Sequence, residues 1–297
     1  MQNGQIEMTE NQRKTPHGRQ CERVVLFTLL TLLSAQCLPA FTQPGQTDSS
    51  VPAEQTAGEE QSIAQASGSQ PGNTFSLSLG AGVIVSPRPY VGADFRVFPI
   101  PSVELEYKGW FFRGIRGGYG FVRTERFTAS LYAQARFSGL ESDSSPFLRG
   151  MEDRKKSMDA GIELSYRGRP VGFRINYLGD VLGRNRGQEA TFLLTSGVPL
   201  GRRGAVIGGI GPRWLSKNHV DYYYGVRGNE ATPSRPAYRG KAAYNLDINI
   251  TAIINLSAHW RWLMIVNREG FGAGIKDSPI VDRDASYAFI TSLNYKF

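Results

Sequence analysis

The chain closes on Tyr287-Ala288-Phe289-Ile290-Thr291-Ser292-Leu293-Asn294-Tyr295-Lys296-Phe297. In an extended strand, Tyr287, Phe289, Thr291, Leu293, Tyr295 and Phe297 share one face. Ala288, Ile290, Ser292, Asn294 and Lys296 share the other. A period of two with one apolar face is the pattern of a β-strand that crosses a bilayer, with lipid on one side and a polar lumen on the other. A last strand ending in Phe, with aromatic or apolar residues at steps of two before it, resembles the signal read by bacterial barrel assembly machinery. Leu293, Tyr295 and Phe297 are the candidate assembly signal.

The same alternation recurs upstream. Phe127, Ala129, Leu131, Ala133, Ala135 and Phe137 alternate with Thr128, Ser130, Tyr132, Gln134, Arg136 and Ser138. Tyr244, Leu246, Ile248, Ile250, Ala252, Ile254 and Leu256 alternate with Asn245, Asp247, Asn249, Thr251, Ile253 and Asn255. Residues 74–85 and 157–167 read alike. Segments of about 10 residues suffice to cross a bilayer at a tilt. Aromatic residues cluster at segment ends (Phe127, Phe137, Tyr166, Tyr177, Tyr244, Trp260, Trp262), as interfacial girdles do. A soluble β-sandwich also alternates, but its outer strand faces do not stay apolar from end to end. The expected fold class is all-β: a transmembrane antiparallel outer-membrane β-barrel over 74–297.

Loop lengths set the strand count. Barrels of this kind have short periplasmic turns and longer external loops. The long connections are 139–156, 179–187, 217–240 and 272–284. The short ones, near 168–170, 200–203 and 257–258, fall between them. Counting back from a periplasmic end at Phe297 predicts twelve strands, provided Val91–Phe98 and Ser102–Tyr107 are separate strands turned by Pro99-Ile100-Pro101. Ten is the alternative. The expected inner faces carry Asp94, Arg96, Glu104, Glu106, Arg136, Glu163, Arg174 and Asp247. Such mixed charge either pairs and fills a lumen or lines a polar channel.

The front of the chain differs. Arg13, Lys14, Arg19 and Arg23 precede the apolar run Val24–Leu33, and small residues follow at Ser34, Ala35 and Ala40. That order is a secretory signal peptide over 1–40, with cleavage expected between Ala40 and Phe41. Gln36 before Cys37 argues against a lipoprotein signal. Both cysteines, Cys21 and Cys37, lie in this leader. Residues 41–73 hold no Lys or Arg, are rich in Gln, Ser, Gly, Thr and Pro, and carry Asp48, Glu54, Glu59 and Glu60. Such a composition does not fold alone, and a disordered acidic periplasmic arm is expected.

The 297-residue chain has a net charge of +8. Taking away the leader at +1 and the arm at −4 leaves +11 on 74–297. For an exported protein this excludes nucleic acid as the natural partner and favours anionic lipopolysaccharide, solutes or murein fragments. Arg149, Arg154, Lys155 and Lys156 on one external loop are candidate lipopolysaccharide contacts. No nucleotide loop, metal cluster or nucleophile motif occurs, so no enzyme, catalytic residue or cofactor is implied. His219-Val220-Asp221 reads as a polar loop, and Tyr222-Tyr223-Tyr224 as loop packing rather than a sticky surface.

The 74–297 segment resembles the MipA/OmpV outer-membrane family, which includes the MltA-interacting proteins. The resemblance rests on Pro89-Tyr90-Val91-Gly92, Pro99-Ile100-Pro101 before Trp110-Phe111-Phe112, and Leu148-Arg149-Gly150-Met151-Glu152-Asp153. Tyr223-Tyr224-Gly225-Val226 with Glu230-Ala231, Pro236-Ala237-Tyr238, Asp277-Ser278-Pro279-Ile280-Val281 and the terminal Phe297 complete it. It implies a barrel in the outer membrane of a Gram-negative bacterium. It further implies a non-enzymatic scaffold that brings a murein lytic transglycosylase together with a penicillin-binding synthase. Arg202 and Arg203, in a periplasmic turn, are the expected partner contacts. A pore with mild anion preference and an adhesin using the 217–240 loop are the competing readings.

Overall fold

A computed structural model describes residues 75–137 and 139–297. The leader, the Ala40–Phe41 cleavage and the 41–73 arm lie outside these residues. Twelve antiparallel strands close into one barrel, each pairing with its neighbours in chain order and β1 with β12. They are β1 (Ser76–Pro87), β2 (Phe95–Tyr107), β3 (Trp110–Arg113), β4 (Arg116–Arg123), β5 (Phe127–Arg136) and β6 (Ser157–Tyr166). The second half holds β7 (Gly172–Asp180), β8 (Gln188–Pro199), β9 (Gly204–Leu215), β10 (Ala243–Asn255), β11 (Trp260–Gly270) and β12 (Ala285–Lys296). No described helix is long and apolar enough to cross a membrane.

The alternation sorts side chains as expected. Leu79, Val97, Trp110, Leu131, Val198, Tyr244 and Leu293 stand exposed on the outer wall, where lipid covers them. Ser78, Ser102, Arg136, Asp159, Glu189, Asn245, Asp247, Ser292 and Asn294 are buried on the inner wall. Leu293, Tyr295 and Phe297 share the outer face. The Tyr295 ring meets Trp260 and Phe297 edge-on, with centroids 5.2 and 5.1 Å apart. The Phe297 N–H bonds Leu77 O at 3.0 Å, which ties the last residue to the first strand.

The count of twelve is reached by a different route from the one read in the sequence. Pro99-Ile100-Pro101 is not a turn: β2 runs straight through it. Residues 91–94 form the external turn instead, so Asp94 lies outside the wall. The missing strand is supplied by 110–123, which folds back at Gly114-Ile115 into β3 and β4. Gly114 has φ +60°, which suits glycine at a tight turn. Prolines survive inside β2 because of what flanks it. Val103 O, an odd position, accepts from Gly114 N–H on the β3 side. Successive residues point their backbone groups to opposite flanks. The Pro99 and Pro101 nitrogens therefore face a flank where β3 has already ended, and no ladder bond is lost.

On the periplasmic side the turns are tight. Lys108-Gly109 joins β2 to β3 with φ +46° and +93°, the positive pair that matches strand twist in a two-residue hairpin. At the closing seam, β1 and β12 approach so closely that a Cβ on Gly80 would lie 2.0 Å from Leu293 O. Gly179 meets nothing within 4 Å. We predict that Gly80→Val prevents closure, at a cost above the ~1–3 kcal/mol of ordinary overpacking, whereas Gly179→Ala refolds normally. Heat-modifiable migration on SDS gels measures this. A folded Gly80→Val barrel would refute the packing argument.

Candidate functional site

The barrel's two ends are built differently. At the external end, the loops between β1 and β2, β5 and β6, β9 and β10, and β11 and β12 share one apolar core. Tyr90, Ala93, Leu140, Leu148, Met151, Val226 and Ile280 are its buried members. Three of these loops join consecutive hairpins, β9–β10, β11–β12 and β1–β2, and the fourth, β5–β6, lies across the ring, so their common core bridges the mouth. Helix α1 (Lys217–Tyr224) is started by Ser216, whose Oγ accepts from His219 N–H. Helix α2 (Ala273–Lys276) adds Ile275 to a second cluster with Leu215, Val220, Ala243 and Phe271. Tyr223 is buried, and Tyr90 Oη bonds its carbonyl at 3.2 Å. Asp221 Oδ1 accepts from Gly240 N–H at 2.7 Å, so Asp221 holds a loop turn. The tyrosine run is packing, as read in the sequence.

Arg154 is the keystone of this cap rather than a lipopolysaccharide contact. Its guanidinium is 2% exposed and faces a Glu230 carboxylate 1% exposed. Nη1 donates to Glu230 Oε1 at 2.9 Å and Nη2 to Oε2 at 2.8 Å, a bidentate pair. Nε donates to Tyr222 O at 2.8 Å. Glu230 also accepts from the backbone N–H groups of Glu152 and Arg227, each at 2.9 Å. Burial raises the Glu230 carboxyl, but Arg154 and these donors outweigh it and hold it down at about 2. Arg235 adds bonds to the carbonyls of Glu230, Phe147 and Arg149. Among the four expected lipopolysaccharide contacts, Arg149, Lys155 and Lys156 are exposed and Arg154 is withdrawn. The sequence missed this because Glu230 lies 76 residues away.

Beneath the cap the inner charges pair in alternating sign. Arg136 Nε donates to Asp159 Oδ2 at 2.6 Å, and Nη2 to Glu189 Oε2 at 2.7 Å. Arg213 bonds Glu189 Oε1 and Glu269 Oε2, each at 2.9 Å. Asn245 then links Glu269 to the Gly272 N–H at the loop. Toward the periplasmic side of the wall, Arg116 pairs with Glu163 at 3.0 Å, Arg261 with Glu104 at 3.1 Å, and Arg113 with Glu106. Of the two states open to mixed inner charge, the wall shows pairing. Among the described residues no group of three His, Cys, Asp or Glu side chains is placed to hold a metal ion.

The periplasmic end carries unbalanced charge. Its turns and rim hold Lys108, Arg126, Arg167, Arg169, Arg202, Arg203 and Lys296, against the Glu125 side chain. Lys108, Arg126, Arg169, Arg202, Arg203 and Lys296 are exposed. Arg202 and Arg203 sit on a 3-10 turn, Gly201–Arg203, between β8 and β9, and Asn255 Nδ2 donates to Arg202 O at 3.2 Å. This collar is legible only in part from sequence, because four separate turns and the chain end contribute to it.

Two measurements test the cap. Glu230→Gln leaves Arg154 buried against a neutral partner, a change worth about 3–5 kcal/mol. We expect faster proteolysis within 216–242 while the barrel keeps its heat-modifiable band. His219 is one acid-sensitive element of the cap, and the one that begins to act below pH 6.5. Burial, and after it the Arg136 cation, push its imidazole down to about 3 from an ordinary 6.5. A base depressed in the folded state contributes stability that is whole above pH 6.5 and is lost as pH falls toward 3. Hydrogen exchange of the 216–242 amides, corrected for intrinsic rates, accelerates over that window, and His219→Gln flattens the response. An identical pH slope in the variant would remove His219 from this role.

The family model described as "MltA-interacting protein MipA" matches residues 79–297. The MltA-interacting protein of Escherichia coli K12 is 28% identical over 74% of this chain and 90% of its own. The putative outer membrane protein YiaT of the same organism is 24% identical over 74% and 91%. OmpV of Vibrio cholerae is 24% identical over 53% and 61%. Among solved structures, the COG4313 outer membrane channel of Pseudomonas putida F1 aligns over 77% of this chain and 99% of its own, with 13% identity and a TM-score of 0.38. With a family model matched from the first strand to the terminal phenylalanine, the chain belongs to the MipA family of outer-membrane β-barrel proteins.

Proposed function

We propose that this protein is a non-enzymatic outer-membrane scaffold that holds murein-processing enzymes at its periplasmic face. The observation that carries the reading is the exposed basic collar, centred on Arg202 and Arg203. A rigid ring of like charge at one end attracts and orients an acidic partner surface and speeds encounter. The E. coli relative is named for its interaction with MltA, which identifies a lytic transglycosylase as the first partner to test. A penicillin-binding synthase is the second. The acidic 41–73 arm is a further expected contact for the same partner.

Further partners follow from the two ends. Leu293, Tyr295 and Phe297 present the assembly signal to the barrel assembly machinery. Arg149, Lys155 and Lys156 remain exposed for lipopolysaccharide phosphates on the outer surface. The pore and adhesin readings have less support. Loops pack across the mouth, and Tyr223, at the centre of the proposed adhesive run, is buried.

Affinity capture tests the proposal. The protein is immobilised in detergent and exposed to an envelope extract from its own cell, with bound proteins identified by mass spectrometry. We expect a lytic transglycosylase to be retained, its retention to fall with added salt, and R202E/R203E to weaken it about tenfold, as two rim charges of ~0.5–1 kcal/mol each would. Retention of no murein enzyme by the unmodified protein would overturn the scaffold reading.

A further inference from the structure

The barrel wall is incomplete in its outer half. Strand β3 pairs with β2 only from Glu104 to Tyr107, and β4 pairs with β5 only as far out as Gln134. The turn between them is pinned on the β2 side four residues from the strand's periplasmic end, with Gly114 N–H on Val103 O at 2.9 Å, and on the other side at the last residue but one of β5, with Ala135 N–H on Ile115 O at 3.1 Å. Beyond that turn, β2 continues from Val103 back to Phe95 with no strand paired on that flank. Its far bound is polar: Arg96 reaches across to Phe137 O at 3.0 Å and to Glu141 at 2.6 Å, and Arg88 joins Glu141 at 2.7 Å. Between Arg96 and Val103 lies a stretch of roughly 23 Å along the strand.

The depth of this window follows from the same geometry. From Tyr107 to Val103 the tilted strand climbs about 10 Å, within an apolar band about 25 Å tall. The window therefore opens inside the bilayer. Unpaired backbone there is costly, because lipid offers no hydrogen bonds. The three odd positions facing the window are Val97, Pro99 and Pro101, and two of them carry no N–H. Proline also prevents an added strand from completing the ladder. This edge is built to stay unpaired by protein.

Behind it, the inner wall changes character. Phe98, Ile84, Ile290 and Ile265 point inward and are register partners in turn across β2, β1, β12 and β11. All four are half-buried. Elsewhere the inner wall carries ion pairs. At the outer bound, Arg88 and Arg96 share the single carboxylate of Glu141, and the Nε of each is buried without a hydrogen-bond partner.

We propose that this window is a lateral portal for one acyl chain bearing an anionic head group, the head held at Arg88 and Arg96 and the chain lying along Phe98, Ile84 and Ile290. The apolar row accepts the chain. The two arginines supply one positive charge in excess and two unused donors. The missing N–H groups let a chain pass an edge that a strand would otherwise seal.

Photolabelling tests this. The protein, with Cys21 and Cys37 replaced by serine, is reconstituted in phosphatidylcholine vesicles. These contain either free palmitic acid with a diazirine in its tail or phosphatidylglycerol with the same acyl group. Labelled residues are then identified by mass spectrometry. Labelling of Phe98, Ile84 or Ile290 beside the lipid-facing Val97 and Phe289 is expected, and the arm that produces it distinguishes free fatty acid from lipid. Adding V97C and F137C and bridging them with a short bismaleimide should return the inward labels to background while the outward ones persist. Heat-modifiable migration confirms that the bridged protein is folded. Labels confined to outward residues in the unbridged protein, in both arms, would overturn the portal. So would inward labels that survive bridging.

Discussion

Inside a bilayer every backbone N–H and C=O must find its partner within the protein, because hydrocarbon offers none. The pairing of β1 with β12 is where this chain meets that demand, since it turns an open sheet with two edges into a ring with none. The seam joins residues near opposite ends of the described chain: Ser78 meets Lys296 and Val85 meets Phe289. Gly80 and Gly82 let the two backbones approach there, and the terminal Phe297 is bonded to Leu77. The apolar outer wall, the polar lumen and the separation of the two ends all presuppose this closure.

Charge is handled differently at each level of the ring. Within the wall, arginines and carboxylates alternate from Asp159 to Glu269, so that each buried charge has an opposite neighbour. An unpaired charge there would cost several kcal/mol. The cap follows the same rule with one fully buried pair, Arg154 and Glu230, holding loops that arise far apart on the ring. At the periplasmic rim the rule is relaxed, because water screens exposed charge and an excess of cations costs little. Exposed cations therefore gather at the two ends, outside the wall.

The outer half of the wall beside β2 is the exception to closure. A four-residue β3 is too short to follow β2 outward, and the chain compensates locally: prolines delete donors and Arg96 spans the far side. A ladder complete on one side of the ring and interrupted on another makes the barrel anisotropic.

How far the sequence reads on its own depends on the range of the interaction concerned. Alternation is local: the period of two assigns Leu293 to lipid and Asn294 to the lumen without knowledge of any neighbour. It also placed β1, β5, β6, β10 and β12, while the order of short and long connections bounded the strands between them and put Arg202 and Arg203 in a periplasmic turn. Pro99-Ile100-Pro101 reads locally as a turn but runs inside a strand, because proline's cost in a strand depends on whether a partner lies on the side its nitrogen faces. Only the place where β3 ends decides that. Arg154, one of several cations in a polar loop, was misassigned for the same reason: its Glu230 partner belongs to a loop on another part of the ring. By itself the sequence determined a membrane barrel with two distinct ends. The tertiary structure decided which charges are withdrawn into the cap, which remain at the rim and where the wall stays unpaired, because each of these depends on contacts between segments that only closure of the ring brings together.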